Sequence, residues 1–384
     1  MIFDKVIGPN RPLSWVFQFW PVLAMSFAGS LAATWLCKKI AVKFGIVDKP
    51  DDLVKTHKEP VAYLGGVGML VGLAAGILTG ILYLHNTTGL FSPTIEWLLG
   101  ILVGGTIACF VGLTDDIFNI RPGQKILGQI VAAVVLLGVG IRPNLYHTTN
   151  ILNLSVSSGF ETVLEVLIVV FFVLGATNSL NLLDGLDGLC AGVTAIITVA
   201  MLLLSIHLAT WGASEGADPV RIITCLGLVG GVLGFLPFNR HPAKIFMGDA
   251  GSMLLGFTVA ALMILFGKEI PRWWMASIVA FGLPILDTAV ALVRRLLNHR
   301  PLFVSDRGHI YDQMIDRGIP LKKTVGICYL LAAFYAIVGV AMSQIRTRYA
   351  AVVYLLVFVG SAFAVWKKGY LKMEGLRGAV RKKN

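Results

Sequence analysis

Apolar residues run along this chain in long uninterrupted blocks. They follow neither the three-to-four-residue rhythm of a half-exposed helix nor the alternation of a half-exposed strand. A helix needs roughly 20 apolar residues to cross a hydrocarbon core. Blocks near that length fall at 15–36, 66–84, 97–114, 126–141, 162–180, 189–207, 221–238, 252–267, 273–293, 324–343 and 349–366. They predict an all-α polytopic membrane bundle of ten or eleven transmembrane helices, the fourth and eighth blocks being short. The first block is too long for a cleavable signal and no small-residue cleavage site follows it, so it is expected to stay as a helix. No soluble domain interrupts the series, so residues 1–384 read as one membrane-embedded unit with a basic tail at 367–384.

Composition agrees with this pattern. Of 384 residues, 56% are hydrophobic and 14% charged, with a mean hydropathy of +0.79. A soluble domain carries about 25% charged residues. The deficit excludes disordered, fibrous, disulfide-stapled and ordinary soluble classes. A net charge of +11 could suggest nucleic acid, but the distribution argues otherwise. Lys and Arg number 24 in one alternating set of connections and 7 in the other. That asymmetry places the N-terminus outside and the C-terminus in the cytoplasm, and no nucleic-acid partner is expected. A secondary role of the charge in gathering anionic ligands or lipids stays open. Cys37, Cys109, Cys190, Cys225 and Cys328 lie in or beside apolar stretches without metal-type spacing and read as small buried hydrophobes.

The acids are informative because few are present. Of 14 Asp residues, all but Asp4 and Asp218 fall in or near the cytoplasmic connections or at that end of a span. Acids at a membrane boundary are costly unless paired or metal-bound, which makes them candidates for function. GLTDDIFNIRPGQKILGQ (112–129) puts Asp115 and Asp116 at the inner end of the third block, followed by Arg121 and Lys125. Adjacent carboxylates repel, and magnesium, commonly held by one or two carboxylates plus phosphate oxygens, would relieve that. A solvated helix stop is the plainer reading of the pair alone.

TNSLNLLDGLDGLCAG (177–192) spaces Asn178, Asn181, Asp184 and Asp187 at intervals of three, which on a helix forms a spiral polar ridge. Polar glue between helices is the alternative, although four such side chains exceed what glue needs. FMGDAGSM (246–253) reads as turn, acid, small residues and helix start, with Asp249 as metal ligand or cap and open backbone N–H groups suited to phosphate. The loop 299–318 offers His299, Arg300, Asp306, Arg307, His309, Asp312, Asp316 and Arg317, and its paired Arg and His suit phosphate or pyrophosphate, although a basic inner loop is also what topology demands. Asp287 lies inside the ninth block and must face a partner or a cavity.

Taken together, VDKPDDLVKTHKEPVAYLGG (47–66), GLTDDIF (112–118), TNSLNLLDGLDGL (177–189), FMGDAGS (246–252), PILDTAVALVRR (284–295) and DRGHIYDQMIDRG (306–318) resemble, in order, the polyprenyl-phosphate N-acetylhexosamine-1-phosphate transferase family. The resemblance covers about residues 45–320 and is nearer the undecaprenyl-phosphate N-acetylglucosamine-1-phosphate transferase branch than the muramoyl-pentapeptide branch. It implies a membrane enzyme that uses Mg2+, with Mn2+ as a substitute. Its substrates would be a UDP-N-acetylhexosamine and undecaprenyl phosphate, its products UMP and a lipid-pyrophosphate sugar for envelope polysaccharide. A homodimer is admitted on the same analogy.

Carried over by position, Asp115 and Asp116 match the family's aspartate pair, catalytic or metal-binding, and Asp249 matches the magnesium ligand of the glycine motif. Asn178, Asn181, Asp184 and Asp187 match its polar helix face, with the two acids counted as catalytic. Phe246 matches the aromatic against uracil and Lys125 a phosphate-binding lysine. Asp306, Arg307 and His309 match the substrate loop. Of the family's His-x-His-His run only the first histidine remains, in His309-Ile310-Tyr311-Asp312, which leaves the sugar open. An ion-coupled transporter is the competing class, but it calls for midplane acids and repeated halves. A catalytically inactive relative acting in membrane assembly has only the altered histidine run in its favour.

Overall fold

The computed structural model describes residues 12–48, 60–88, 92–146, 149, 157–211, 216–299 and 308–372. Its helices are α1 (Leu13–Phe17), α2 (Trp20–Phe44), α3 (Gly65–Thr88), α4 (Pro93–Phe118), α5 (Pro122–Gly138), α6 (Ser158–Leu183) and α7 (Leu189–Thr210). They continue with α8 (Ala217–Asn239), α9 (Gly248–Phe266), α10 (Pro271–Ala280), α11 (Gly282–Leu297), α12 (Ile310–Asp316), α13 (Leu321–Met342) and α14 (Thr347–Lys367). The protein is a polytopic helical membrane protein: among the described residues nine helices are long and apolar enough to cross a bilayer.

Each apolar block falls on a helix, yet the short spans differ from expectation. The eighth block forms the full 19-residue α9, while the ninth breaks between α10 and α11 with a 68° bend at Phe281. The fourth block gives α5, whose 17 residues reach only about 25 Å at 1.5 Å per residue. The basic tail beyond residue 372 lies outside the described residues.

Two short strands were not anticipated. β1 (Val47–Asp48) pairs antiparallel with β2 (Val61–Ala62), and Ala62 bridges in turn to Ile245. The Phe246 N–H donates to the Ala62 carbonyl, and the Gly65 N–H donates to the Phe246 carbonyl. These bonds satisfy backbone groups of connections that run close to the apolar bundle. They also fasten the start of α3 to the segment entering α9.

Burial grades from the centre outward. Nearly every residue of α9 and most of α8 are buried, whereas few of α14 are, and α14 lies on the rim. α9 packs against α4 and α6, while α2, α3 and α8 form an adjoining layer. Close approach depends on small residues: a side chain at Gly112 would run into the carbonyl of Asp249, so α4 can lie against the tip of α9 only with glycine there. All five cysteines are free and buried, as expected.

Candidate active site

Local sequence brings the first two charged partners together. α4 ends at Asn119, which adopts the left-handed conformation at φ 50°, and α5 starts with Pro122 in its first turn. The Gln124 side chain accepts the Arg121 N–H at 3.0 Å and fixes the start of α5. This tight hairpin returns Lys125 to Asp115, with Nζ 3.0 Å from Oδ2. The same ammonium bonds Asp249 Oδ2 at the tip of α9 and lies 3.4 Å from Asn181 Oδ1 on α6. Asn181 Nδ2 donates to Asp249 Oδ1 at 2.7 Å and to Ser252 Oγ at 3.1 Å. Four helices thus converge on one ammonium flanked by two carboxylates.

Asp116 is engaged differently from Asp115. Its Oδ1 accepts the Asp249 N–H at 2.9 Å and its Oδ2 accepts the Ala250 N–H at 3.1 Å. Both oxygens satisfy open N–H groups of α9, whose own N-terminal residue Met247 supplies no side-chain cap. The cap therefore comes from Asp116 on another helix, and Asp249 is left free of capping. Of the adjacent pair only Asp115 faces Lys125; Asp116 fixes the position of α9.

The polar ridge is likewise shorter than its spacing suggests. α6 stops at Leu183, and Gly188 enters α7 at φ +75°, a conformation costly for any other residue. Asp184 and Asp187 consequently sit in a turn and not on the helix face. Asp187 Oδ2 accepts from His241 Nδ1 at 2.8 Å and from the Ala243 N–H at 3.0 Å, so it pins the turn leading to α9. Asn178, a turn deeper, donates to Gln129 Oε1 at 3.1 Å and to the Leu174 carbonyl at 2.7 Å, away from the acids. Asp184 keeps its place beside them. Burial, then the charges of Asp249, Asp116 and Asp187, push its carboxyl well above the carboxylate range.

Phe246 is half-buried and meets Tyr63 edge to face at 6.0 Å, giving an aromatic corner next to Asp249. Burial foremost, then Asp48, Asp116, Asp184 and Asp249, push the Tyr63 phenol up. His309 lies parallel to Tyr311 at 5.6 Å, and the Tyr311 hydroxyl donates to the Leu182 carbonyl at 2.8 Å, seating the loop against the Asp184 turn. His309 itself pairs with Asp287, the partner that the buried acid required. Asp306 and Arg307 lie outside the described residues.

Sequence reasoning missed Tyr63, Gln129, His241, Ser252 and Tyr311. Tyr63, Ser252 and Tyr311 stand inside the motifs that carry the family resemblance. His241 and Gln129 carry no signal apart from the fold.

The donors around Lys125 are hard oxygens, and the carboxylates of Asp115 and Asp249 outnumber the single ammonium there. No three His, Cys, Asp or Glu side chains among the described residues stand ready to chelate a metal. The hard carboxylate oxygens of Asp115 and Asp249 have the chemistry of an ion which takes one or two carboxylates and completes its shell with water and phosphate, the habit of magnesium.

The bundle is a membrane protein that brings an acid–lysine centre of Asp115, Lys125, Asn181 and Asp249 together at one end of its helices. Residues 98–267 match the family described as Glycosyl transferase family 4. The chain is 29% identical over 351 residues to a probable undecaprenyl-phosphate N-acetylglucosaminyl 1-phosphate transferase of Bacillus subtilis, covering 90% of this chain and 89% of that protein. It is 30% identical over 325 residues to a decaprenyl-phosphate N-acetylglucosaminephosphotransferase of Mycolicibacterium smegmatis, covering 79% and 77%. A phospho-N-acetylmuramoyl-pentapeptide-transferase of Desulforamulus reducens is 29% identical over 295 residues, covering 73% and 81%. The chain belongs to this family of polyprenyl-phosphate N-acetylhexosamine-1-phosphate transferases.

Proposed function

We propose that the protein transfers N-acetylglucosamine 1-phosphate from UDP-N-acetylglucosamine to undecaprenyl phosphate, the first lipid-linked step of an envelope polysaccharide. An oxygen of the lipid phosphate attacks the sugar-bearing phosphorus. The bond from that phosphorus to the bridging oxygen breaks, and UMP leaves with that oxygen. The single observation that carries the reading is the convergence of Asp115, Asn181 and Asp249 on Lys125 in a chain of this family. The names of the Bacillus and Mycolicibacterium relatives support N-acetylglucosamine as the sugar.

A phosphate monoester is largely dianionic at neutral pH, its second pKa being near ~6. It needs little help from a base. The harder task is to bring it to an anionic pyrophosphate. In this reading Lys125 turns from the carboxylates toward phosphate oxygens as substrate enters. Asp115 and Asp249 would hold Mg2+, which would supply the charge screening. Asn181 keeps the Asp249 carboxylate oriented, and Phe246 with Tyr63 offers an aromatic surface to uracil. Asp116 and Asp187 hold α9 and the turn before it.

The 24-to-7 asymmetry of basic residues supports an outer N-terminus, a cytoplasmic C-terminus and a site on the cytoplasmic face of the bacterial inner membrane. Nine spanning helices become ten if either the bent pair α10–α11 or the short α5 also crosses and eleven if both do, and termini on opposite faces go with the odd number. A homodimer belongs to the reading by family analogy, and light scattering of the detergent-solubilised protein tests it.

The deciding experiment is UMP release by purified protein given undecaprenyl phosphate and a panel of UDP-sugars, with Mg2+ or with chelator. Release that needs lipid phosphate and Mg2+, and is fastest with UDP-N-acetylglucosamine, supports the reading. Preference for another UDP-sugar overturns the choice of sugar, and absence of release from folded protein overturns the reaction. Mn2+ binding followed by electron paramagnetic resonance tests the metal separately: Asp249→Asn is expected to abolish it.

A further inference from the structure

Away from the acid centre, four lysines border one concavity. Lys38, Lys39 and Lys43 near the end of α2, with Lys244 in the turn between α8 and α9, line a cavity of about 570 Å³ together with Trp35 and Phe238. Trp35, Lys38, Lys39 and Lys43 lie three, four and eight residues apart, so α2 presents them on one face. The Lys39 ammonium sits 3.6 Å from the centre of the Trp35 ring. None of the four lysines has an ion pair with an acid among the described residues. Basic residues at this end of the bundle are expected from topology, but topology does not require them to surround a shared cavity. Lys322 and Lys323, exposed at the start of α13, do not line this cavity.

We propose that this cavity binds the phosphate headgroup of an anionic bilayer phospholipid. The combination fits that ligand. Trp35 is half exposed at the end of a spanning helix, the level where indole rings meet headgroups. The lysine stems run along apolar surface while their ammonium groups reach a charge held at the bilayer boundary. A soluble anion would share the phosphate chemistry but leave Trp35 and Phe238 without a use.

The site also touches the machinery of the bundle. The Lys244 N–H donates to the Phe238 carbonyl at 2.7 Å, closing one turn. That turn contains His241 and Ala243, the partners of Asp187. A bound headgroup therefore braces the segment that delivers α9 to the acid centre.

The test reads binding and does not depend on the proposed reaction. Purified full-length protein is titrated with phosphatidylglycerol or phosphatidylcholine in detergent, and bound lipid is counted by native mass spectrometry. The expected preference for phosphatidylglycerol is roughly tenfold or more, the scale of a few lysines facing an anionic headgroup. A variant with Lys38, Lys39, Lys43 and Lys244 all replaced by Gln should lose it. Lys39→Gln and Lys244→Gln alone should weaken it, which keeps the test valid if the fourfold variant misfolds. The Lys322→Gln, Lys323→Gln pair should leave it unchanged. Retention of the preference by the folded fourfold variant, or by both single variants, overturns the proposal. So does displacement of phosphatidylglycerol by excess inorganic phosphate, which marks a site for soluble phosphate.

Discussion

His309 Nδ1 lies 2.7 Å from Asp287 Oδ2, although the two residues are 22 positions apart and sit on opposite sides of the loop after α11. The other oxygen of Asp287 accepts the Ile310 N–H at 2.6 Å, so one carboxylate both orients the imidazole and caps α12. Both side chains are buried. Removing one member of such a pair leaves its partner without compensation, at a cost of about 3–5 kcal/mol. Asp287→Ala is expected to lower the melting temperature sharply, while Asp287→Asn, which keeps an acceptor, should cost less. Equal melting curves for wild type and Asp287→Ala would show that the pair holds nothing together.

The same pair sets a pH dependence. Burial acts against a charged His309, but the hydrogen bond and charge of Asp287, with Asp312, more than offset it and hold the imidazole above its usual range. A group whose pKa rises on folding stabilises the protein fully below its unfolded value, near ~6.5 for His. That contribution is lost as pH climbs through the raised folded value. Thermal melts from mildly acidic to mildly alkaline pH should decline more steeply for wild type than for Asp287→Asn. Parallel declines would refute this assignment.

Asp184 gives the opposite kind of signal, a cost carried at working pH. Its carboxyl is raised by burial and by the charges of Asp249, Asp116 and Asp187. Relative to the unfolded chain, stability is therefore lost as pH rises through the raised folded value, and the loss persists above it. Asp184→Asn should raise the melting temperature at neutral pH and above, and the gain should vanish toward pH ~4, near the unfolded value. UMP release should fall in the same variant, the trade expected where a site keeps unfavourable charge for function. A variant less stable than wild type at neutral pH contradicts this account.

Asp116 and Asp249 separate stability from chemistry. Asp116→Ala strips acceptors from two N–H groups of α9 and should cost about 1–3 kcal/mol per unsatisfied group. Asp249→Asn keeps its size and its contact with Asn181, so it should melt near wild type while abolishing UMP release. Measuring both quantities for both variants separates the two roles. If Asp116→Ala melts like wild type, the cap on α9 is dispensable; if folded Asp249→Asn turns over substantially, Asp249 is not part of the chemistry.

Lys125→Gln should reduce UMP release by about 10²–10³-fold, the scale of removing one group that stabilises developing charge. It should also lower the melting temperature, because Asp115 and Asp249 then face each other without the ammonium between them. Near-normal turnover by this variant would remove Lys125 from the reaction.

The span pattern was legible because the periodicity of burial in a bilayer is written directly into runs of apolar residues. Asp115, Lys125, Asn181 and Asp249 could be singled out because polar groups at helix ends are conspicuous in so apolar a chain. What spacing could not reveal was the direction of each side chain. Asp116 follows Asp115 immediately, yet a turn of about 100° per residue carries it to the N–H groups of α9 and away from Lys125. Asp184 and Asp187 continue the interval of three, but Gly188 takes a left-handed conformation and the helix ends before them. The break at Phe281 was equally hidden, since a bent span has the same apolar content as a straight one.

The enclosure of α9 also constrains Asp249. Asp249 stands at the tip of a helix surrounded on almost every side, so moving it would require rearranging much of the bundle. In the proposed reading, the point of phosphate chemistry is thereby a fixed coordinate of the bundle.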